Sequence, residues 1–273
     1  MLHPRLPANR IAITLLIIGA LLLSVSVFVS STILAFIGLS LAFWGSLFLF
    51  ATTTKFVKAL VLDAAAISYY TTLDRIIDDL NLKGKPIYIP PYPKDTYLPE
   101  HLVGLKEMVV FISAEDNAEI PNIGEMAQKE FLVKNPKGIL ITPPGSGLIN
   151  LFEKELNSEF GNLLPKQLGT DFTKMDRESF YEWLPTIIVN HFELTSDLEI
   201  KLENDQIHLK IADLVYRNLY SKEQNLKTIH SIGCPLTSAI ACALAIIAGK
   251  SVTITETKTS PDLKIIEVRY GLI

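Results

Sequence analysis

The residues with the most chemistry in them sit in one stretch, "HSIGCPLTSAIACALAIIAGK", from His230 to Lys250. His230 precedes Cys234 by four residues, and Ser238 and Cys242 follow it at intervals of four. Cys234 before Pro235 has the form of a helix N-cap followed by proline at the first helical position. A thiol placed there can acquire a lowered pKa, and an imidazole nearby would act as its base. No Asp or Asn is evidently tied to the histidine. Two other readings stand beside this one. His230, Gly233, Cys234, Pro235, Ser238 and Cys242 line an apolar ligand pocket, or Cys234 is a small buried hydrophobe. A metal site built from His230, Cys234, Cys242 and His208 would need three or four convergent ligands. His208 alternates onto the polar face of its strand, His191 falls on an apolar helix face as a core histidine, and neither metal nor other cofactor is expected.

A second candidate is "PPGSG", where Gly145, Ser146 and Gly147 join a strand to a helix. Backbone amides at such a junction can hold an anion. The stretch lacks the Lys-Ser/Thr of a P-loop and the third glycine of a dinucleotide fingerprint. The plainer reading is a turn followed by a helix start. No zinc-protease, hydrolase-elbow or kinase signature occurs.

The elements that position these residues begin with an apolar block. Mean hydropathy is positive and 49% of residues are hydrophobic. From Ile11 to Phe50 there is no charged residue. One helix over that block would be about 60 Å long, twice a bilayer's hydrocarbon core. The block therefore reads as two spans, 11–29 and 33–50, broken at "SST" (Ser30, Ser31, Thr32) and packed as a hairpin. Gly38, Ala42 and Ser46 form a stripe of small residues for close packing. A cleaved signal peptide fits poorly, because the first run is long, no A-x-A site follows it, and a second apolar run comes next. Arg5 and Arg10 flank one end, Lys55 and Lys58 the other, and the turn is uncharged. Positive-inside bias then puts both termini in the cytoplasm of a two-span, multi-pass membrane protein. Cys234 and Cys242 would lie about 12 Å apart along one helix, too far for a disulfide and consistent with a reducing compartment.

The chain carries a net charge of −4, and Arg5 and Arg10 are its only Lys, Arg, Asp or Glu before Lys55, so the part after the hairpin is acidic. That argues against nucleic acid as a partner. Residues 55–83 read as an amphipathic juxtamembrane helix, with Asp74, Arg75, Asp78 and Asp79 outward and Gly84 ending it. Residues 84–145, with "EMVVFIS" and "GILIT" as buried strands and "IPNIGEMAQKE" as a short helix, read as a small β-rich subdomain. Residues 146–273 form an α+β domain. Its first helix has Leu148, Phe152, Leu156 and Phe160 inward. Its second follows "DFTKMD", with Phe180, Leu184, Ile187, Ile188 and His191 on one side and a kink or restart at Pro185. "DLEIKLENDQIHLKIA" is a hairpin with Leu198, Ile200, Leu202, Ile207, Leu209 and Ile211 inward around Asn204–Asp205. "SVTITET" and "LKIIEVRY" pair around Ser260–Pro261–Asp262. Between them, Leu236–Ala248 is about 13 residues long, a core-helix length and not a third span, stopped by Gly249. The order ββ-α-ββ predicts an antiparallel sheet with a helix on one face.

Asp197–Tyr270 resembles the second half of the four-vinyl-reductase-like domains, a small-ligand-binding fold related to the Bet-type subunits of vesicle-tethering complexes. The likeness rests on the first hairpin, "GCPLTSAIACALAIIAGKSVTITET" and "LKIIEVRY". The family often carries further cysteines near the last hairpin, where "ETKTSPDLK" has none, which counts against a thiol cluster. The whole layout is similar to uncharacterised archaeal membrane proteins with a transmembrane hairpin and one cytoplasmic domain. The expected function is a membrane-anchored cytoplasmic small-molecule-binding or sensory module; the alternative is a scaffold subunit of a membrane-associated complex. The lipid bilayer, an apolar small molecule, and a second copy or protein partner are the candidate partners. A cavity lined by Cys234, Ser238 and Cys242 would favour the binding module, and a solid core with an exposed apolar edge strand the scaffold.

Overall fold

Two apolar helices come first, α1 (Ala8–Val29) and α2 (Thr32–Thr53). They belong to a computed structural model that describes residues 8–53, 59–93, 95–116, 120–122, 125, 137–158, 177–203 and 206–273. The chain divides into two bodies, Met1–Lys58 and Ala59–Ile273. In the first, Ala12–Val29 and Thr32–Leu49 are long and apolar enough to cross a membrane, with only 17% and 11% of each buried within the fold. Apolar side chains turned outward suit lipid and not water. The break falls at Ser30 and Ser31, where the Ser31 N–H donates to the Ser26 carbonyl and the Ser26 hydroxyl donates to the Ser31 carbonyl.

Glycine sets the approach of the two helices. A Cβ on Gly19 would lie 2.8 Å from the Ala42 nitrogen, one on Gly38 2.9 Å from the Leu23 nitrogen, and one on Gly45 2.9 Å from the Leu16 nitrogen. Gly38 and Ala42 thus lie at the contact as expected, but Ser46 is exposed and Gly45 takes its place. Seven residues nearly complete two turns, whereas eight overshoot them by about 80°.

The second body opens with α3 (Ala59–Asp79). Seven strands then form one antiparallel sheet in the order β3-β2-β1-β6-β7-β5-β4. They are β1 (Ile87–Ile89), β2 (Val109–Ser113), β3 (Gly138–Ile141), β4 (Asp197–Glu203), β5 (Gln206–Ala212), β6 (Val252–Thr259) and β7 (Ile265–Leu272). The helices are α4 (Ser146–Ser158), α5 (Arg177–Pro185), the short α6 (Ile229–Ile232) and α7 (Pro235–Ala248). The fold is α+β, and the ββ-α-ββ unit is present as β4-β5, α7, β6-β7. The strands of 84–145 continue its sheet, because β1 pairs with β6 through Ile87–Thr253 and Tyr88–Val252.

Burial explains the strand patterns. Ile207, Leu209 and Ile211 of β5, with Ile266, Val268 and Tyr270 of β7, face the main core beneath α7. The alternate residues His208, Lys210, Glu267 and Arg269 lie on the opposite, polar face, as in a sheet covered on one side. β2 is apolar from Val109 to Ile112 because it is covered twice. Val110 and Ile112 enter the main core, while Phe111 joins a second cluster with Ile89, Leu98, Leu102 and Leu105. Leu102 and Leu105 come from a 3-10 turn, Glu100–Lys106.

Several positions depart from the sequence pattern. Leu202, opposite Ile207 on the outermost strand, is 62% exposed. His191 is exposed, its ring edge-on to Phe192. Beyond Pro185 the helix widens into a π-turn, Thr186–His191, which buries Ile187 and Ile188 and rotates His191 out. On α4 the buried residues are Ile149 and Phe152, with Leu148 at their edge. Leu156 and Phe160 fall outside the described side chains, and "DFTKMD", most of "IPNIGEMAQKE" and the Asn204–Asp205 turn fall outside the described residues. Asp74 is not simply outward, since its carboxylate accepts the Lys227 and Thr228 N–H groups at 2.8 and 2.9 Å.

Candidate functional site

Around Cys234 the chain is held by four buried tyrosines from distant elements. α6 ends at Gly233, whose φ of +80° and ψ of 164° suit a residue without a side chain. Cys234 is then extended and caps α7, with Pro235 at its first position. The Tyr70 hydroxyl donates to the Gly233 carbonyl at 2.5 Å, and the Tyr88 hydroxyl donates to the Ile232 carbonyl. The Cys234 N–H donates to the Tyr220 hydroxyl at 3.1 Å, and the Tyr270 hydroxyl donates to the Thr237 carbonyl at 3.0 Å. These groups satisfy backbone polar atoms where a helix junction passes through the core.

This environment sets the state of the thiol. Cys234, Ser238 and Cys242 are completely buried. Burial pushes the Cys234 thiol above its ordinary range, outweighing the hydrogen bonds from Thr237 and Tyr220 that pull it down. Burial does the same, more strongly, to Cys242. Both are therefore protonated thiols and poor nucleophiles. His230 lies outward, with its ring edge-on to Tyr220 and its carbonyl accepting from the Thr257 hydroxyl at 2.9 Å. Its ring makes no hydrogen bond with Cys234, and its pKa is lowered by desolvation. The base and the nucleophile are not brought together. Among the described residues no group of three His, Cys, Asp or Glu is placed to hold a metal ion.

The "PPGSG" turn is likewise occupied. The Gly145 N–H donates to the Ser238 hydroxyl at 3.1 Å, and the Ser146 N–H donates to the Pro143 carbonyl at 3.0 Å. A Cβ on Gly145 would lie 2.1 Å from the Ala239 nitrogen, so the turn is seated against the backbone of α7. Gly147 faces open space. Two of the three amides are already spent within the fold. Of the residues the sequence singled out, Gly145, Gly233, Cys234, Pro235 and Ser238 gather at the start of α7, Cys242 lies two turns further along the same helix, and His230 and Gly147 stand apart.

The cleft that opens on this body lies elsewhere. It has a volume of about 750 Å³ and is bounded by Asp63, Ala64 and Ile67 of α3, by Asn218 and residues 220–224, and by Thr259, Ser260, Pro261 and Leu263 at the β6–β7 turn. That size suits a small molecule. Asp63 is 4% exposed, and its Oδ2 accepts from the Asn218 amide at 2.8 Å. Its Oδ1 is buried and accepts no hydrogen bond. Asp is seldom buried without a partner, and the positions three and four residues away on α3 are all apolar. The Asp63 charge is felt at Tyr216, whose pKa is raised first by burial, then by Cys234 and then by Asp63. Asp63 belongs to no motif. The signal for it was a lone carboxylate in the apolar run "ALVLDAAAISYY".

Residues 4–270 match the model of a family described as Domain of unknown function (DUF7982). Since the match covers nearly the whole chain, the protein belongs to that family. No curated protein and no solved structure matches it.

Proposed function

We propose that this member of the DUF7982 family is a membrane-anchored small-molecule-binding module whose ligand occupies the Asp63 cleft. The observation that carries the reading is a buried carboxylate with an unsatisfied oxygen, lining a cleft of about 750 Å³. An unpaired buried acceptor costs about 1–3 kcal/mol, more when charged. A concave site with a polar group set in an otherwise apolar wall is the usual form of a small-molecule pocket. The similarity of Asp197–Tyr270 to four-vinyl-reductase-like ligand-binding domains supports the same reading, although the ligand position differs from the one first expected beside Cys234. The basic residues at both ends of the apolar pair and the uncharged turn support an orientation with both termini, and so the cleft, in the cytoplasm.

The test is native mass spectrometry of the full chain released gently from its host membranes in detergent. Wild type is compared with Ala64→Trp, which fills the cleft from an exposed helix position. A reproducible added mass on wild type, absent from the variant, is the expected result. A bare chain in both overturns the binding reading and moves the weight to the scaffold alternative.

A further inference from the structure

We infer that β4 is a self-pairing edge, through which two copies of this chain join their sheets antiparallel over residues 198–202, with a two-fold axis at Ile200. This stands independently of the Asp63 cleft. β4 is the last strand in the sheet order, and among the described residues no strand pairs with its outer side. Alternate N–H and C=O groups of such an edge point away from the sheet and are open to another strand. Its core-side residues are uncovered progressively along the strand. Leu198 is 4% exposed, Ile200 is half-buried and Leu202 is 62% exposed. In the antiparallel pair, Leu202 of each copy lies opposite Leu198 of the other, and Ile200 lies opposite Ile200. The exposed end of one strand thus meets the buried end of the other.

Charge selects both the occupant and the register. Glu199 and Lys201 flank Ile200 on the polar face of the strand, and both are exposed. Within one chain their side chains approach to 3.6 Å, an exposed contact of little worth. Centred on Ile200, the pair sets Glu199 against Lys201 twice, once in each direction, as an isologous interface requires. Moving the centre to Glu199 or to Lys201 sets like charges against each other, which is destabilising. A centre between residues sets the leucines against charged side chains. The charges across the sheet run the same way. Lys258, Glu267, Lys210 and Glu199 alternate in sign in one row from β6 to β4, and Lys201 of the second copy continues it. Asp197 and Glu203 stand opposite each other at the ends. The Asp197 carboxylate accepts from the Leu198 N–H at 2.9 Å, so pairing stops short of it. The other edge, β3, is four uncharged residues and specifies no register.

The experiment uses the full chain in detergent micelles, with mass read by sedimentation equilibrium over a range of concentrations. Wild type is expected to be a dimer. Lys201→Glu sets two acid pairs across the interface and should weaken the dimer at least about ten-fold. Adding Glu199→Lys to it returns opposite charges to both positions and should restore the dimer. A disulfide test reads the register directly. Glu199→Cys and Lys201→Cys chains, mixed and mildly oxidised, should cross-link to each other. Neither should cross-link efficiently alone, since like positions lie a diagonal apart. Cys234 and Cys242 are buried and take no part. Circular dichroism on heating checks that each variant is folded. A wild type that stays monomeric across the range overturns the proposal. So does a dimer indifferent to Lys201→Glu, which would place the contact elsewhere on the chain. A loss that Glu199→Lys fails to reverse, or a cross-link in either Cys variant alone, overturns the Ile200 register and the proposal with it.

Discussion

Gly233→Ala is expected to destabilise the α+β body by about 4 kcal/mol. Two costs add. At φ +80° and ψ 164° the backbone occupies a region essentially reserved for glycine, worth about 1–3 kcal/mol for another residue. The new Cβ would lie 2.3 Å from the Thr237 hydroxyl and 2.9 Å from Ile254 Cδ1. Overpacking of that kind costs about 1–3 kcal/mol more. Thr237 cannot simply turn away, since its hydroxyl donates to the Cys234 carbonyl and its own carbonyl accepts from Tyr270. For a body of roughly 200 residues the loss corresponds to a fall of about 8–16 °C in Tm. The measurement is thermal unfolding of the full chain in mild detergent, followed by Trp183 emission in a Trp44→Phe background. Trp183 lies in the core, so it reports on this body. The control is Gly249→Ala, at φ +60° with nothing near its Cβ, expected to cost about 1–2 kcal/mol. If Gly233→Ala proves no worse than Gly249→Ala, the close packing of Gly233 on Thr237 is wrong.

Three further outcomes are expected. Gly145→Ala should lower Tm sharply, because its Cβ meets main-chain atoms of Ala239 and Pro235, whereas Gly147→Ala should leave Tm unchanged or raise it slightly. Alkali should unfold the protein steeply. Burial holds the Tyr70, Tyr88, Tyr220 and Tyr270 hydroxyls well above their ordinary pKa near 10, so the folded state keeps protons that the unfolded state loses. Stability is then intact below pH 10 and falls above it, by about 6 kcal/mol at pH 11 for the four together, with the tyrosinate absorbance of these four appearing only on unfolding. In the proposed orientation, Ser30→Cys should react with an impermeant maleimide on intact cells, while Lys250→Cys should react only after lysis. The buried, protonated Cys234 and Cys242 give a silent background for that labelling. The reverse pattern would invert the topology.

The candidate site was only partly legible in the sequence, and the reason is range. "CPLTSAIACALAIIAG" announces its own helix because cap, proline and stop are local signals, and the structure starts and ends α7 at those residues. Its cysteines looked reactive for the same local reason, a thiol at a helix start with a histidine nearby. Reactivity, however, depends on what surrounds the thiol. Tyr70 reaches this junction from 163 residues away along the chain, and no periodicity encodes that. His191 was misplaced because a regular 3.6-residue period was carried through Pro185, where the helix widens. Asp63 was overlooked because a single acid in an apolar helix gives no motif.

By itself the sequence determined the elements whose physics is local. These are the two apolar helices with small residues between them, the hairpins with alternating strands, and the core helix between those hairpins. In each, the spacing of apolar residues states which face must leave water. Tertiary structure alone decided that β1 pairs with β6, that four tyrosines close on one helix junction, and that Asp63 is buried beside a cleft. Each of these joins segments far apart in the chain. Such a partner is selected by shape, burial and hydrogen-bond satisfaction in the assembled core, quantities that exist only once the chain has folded.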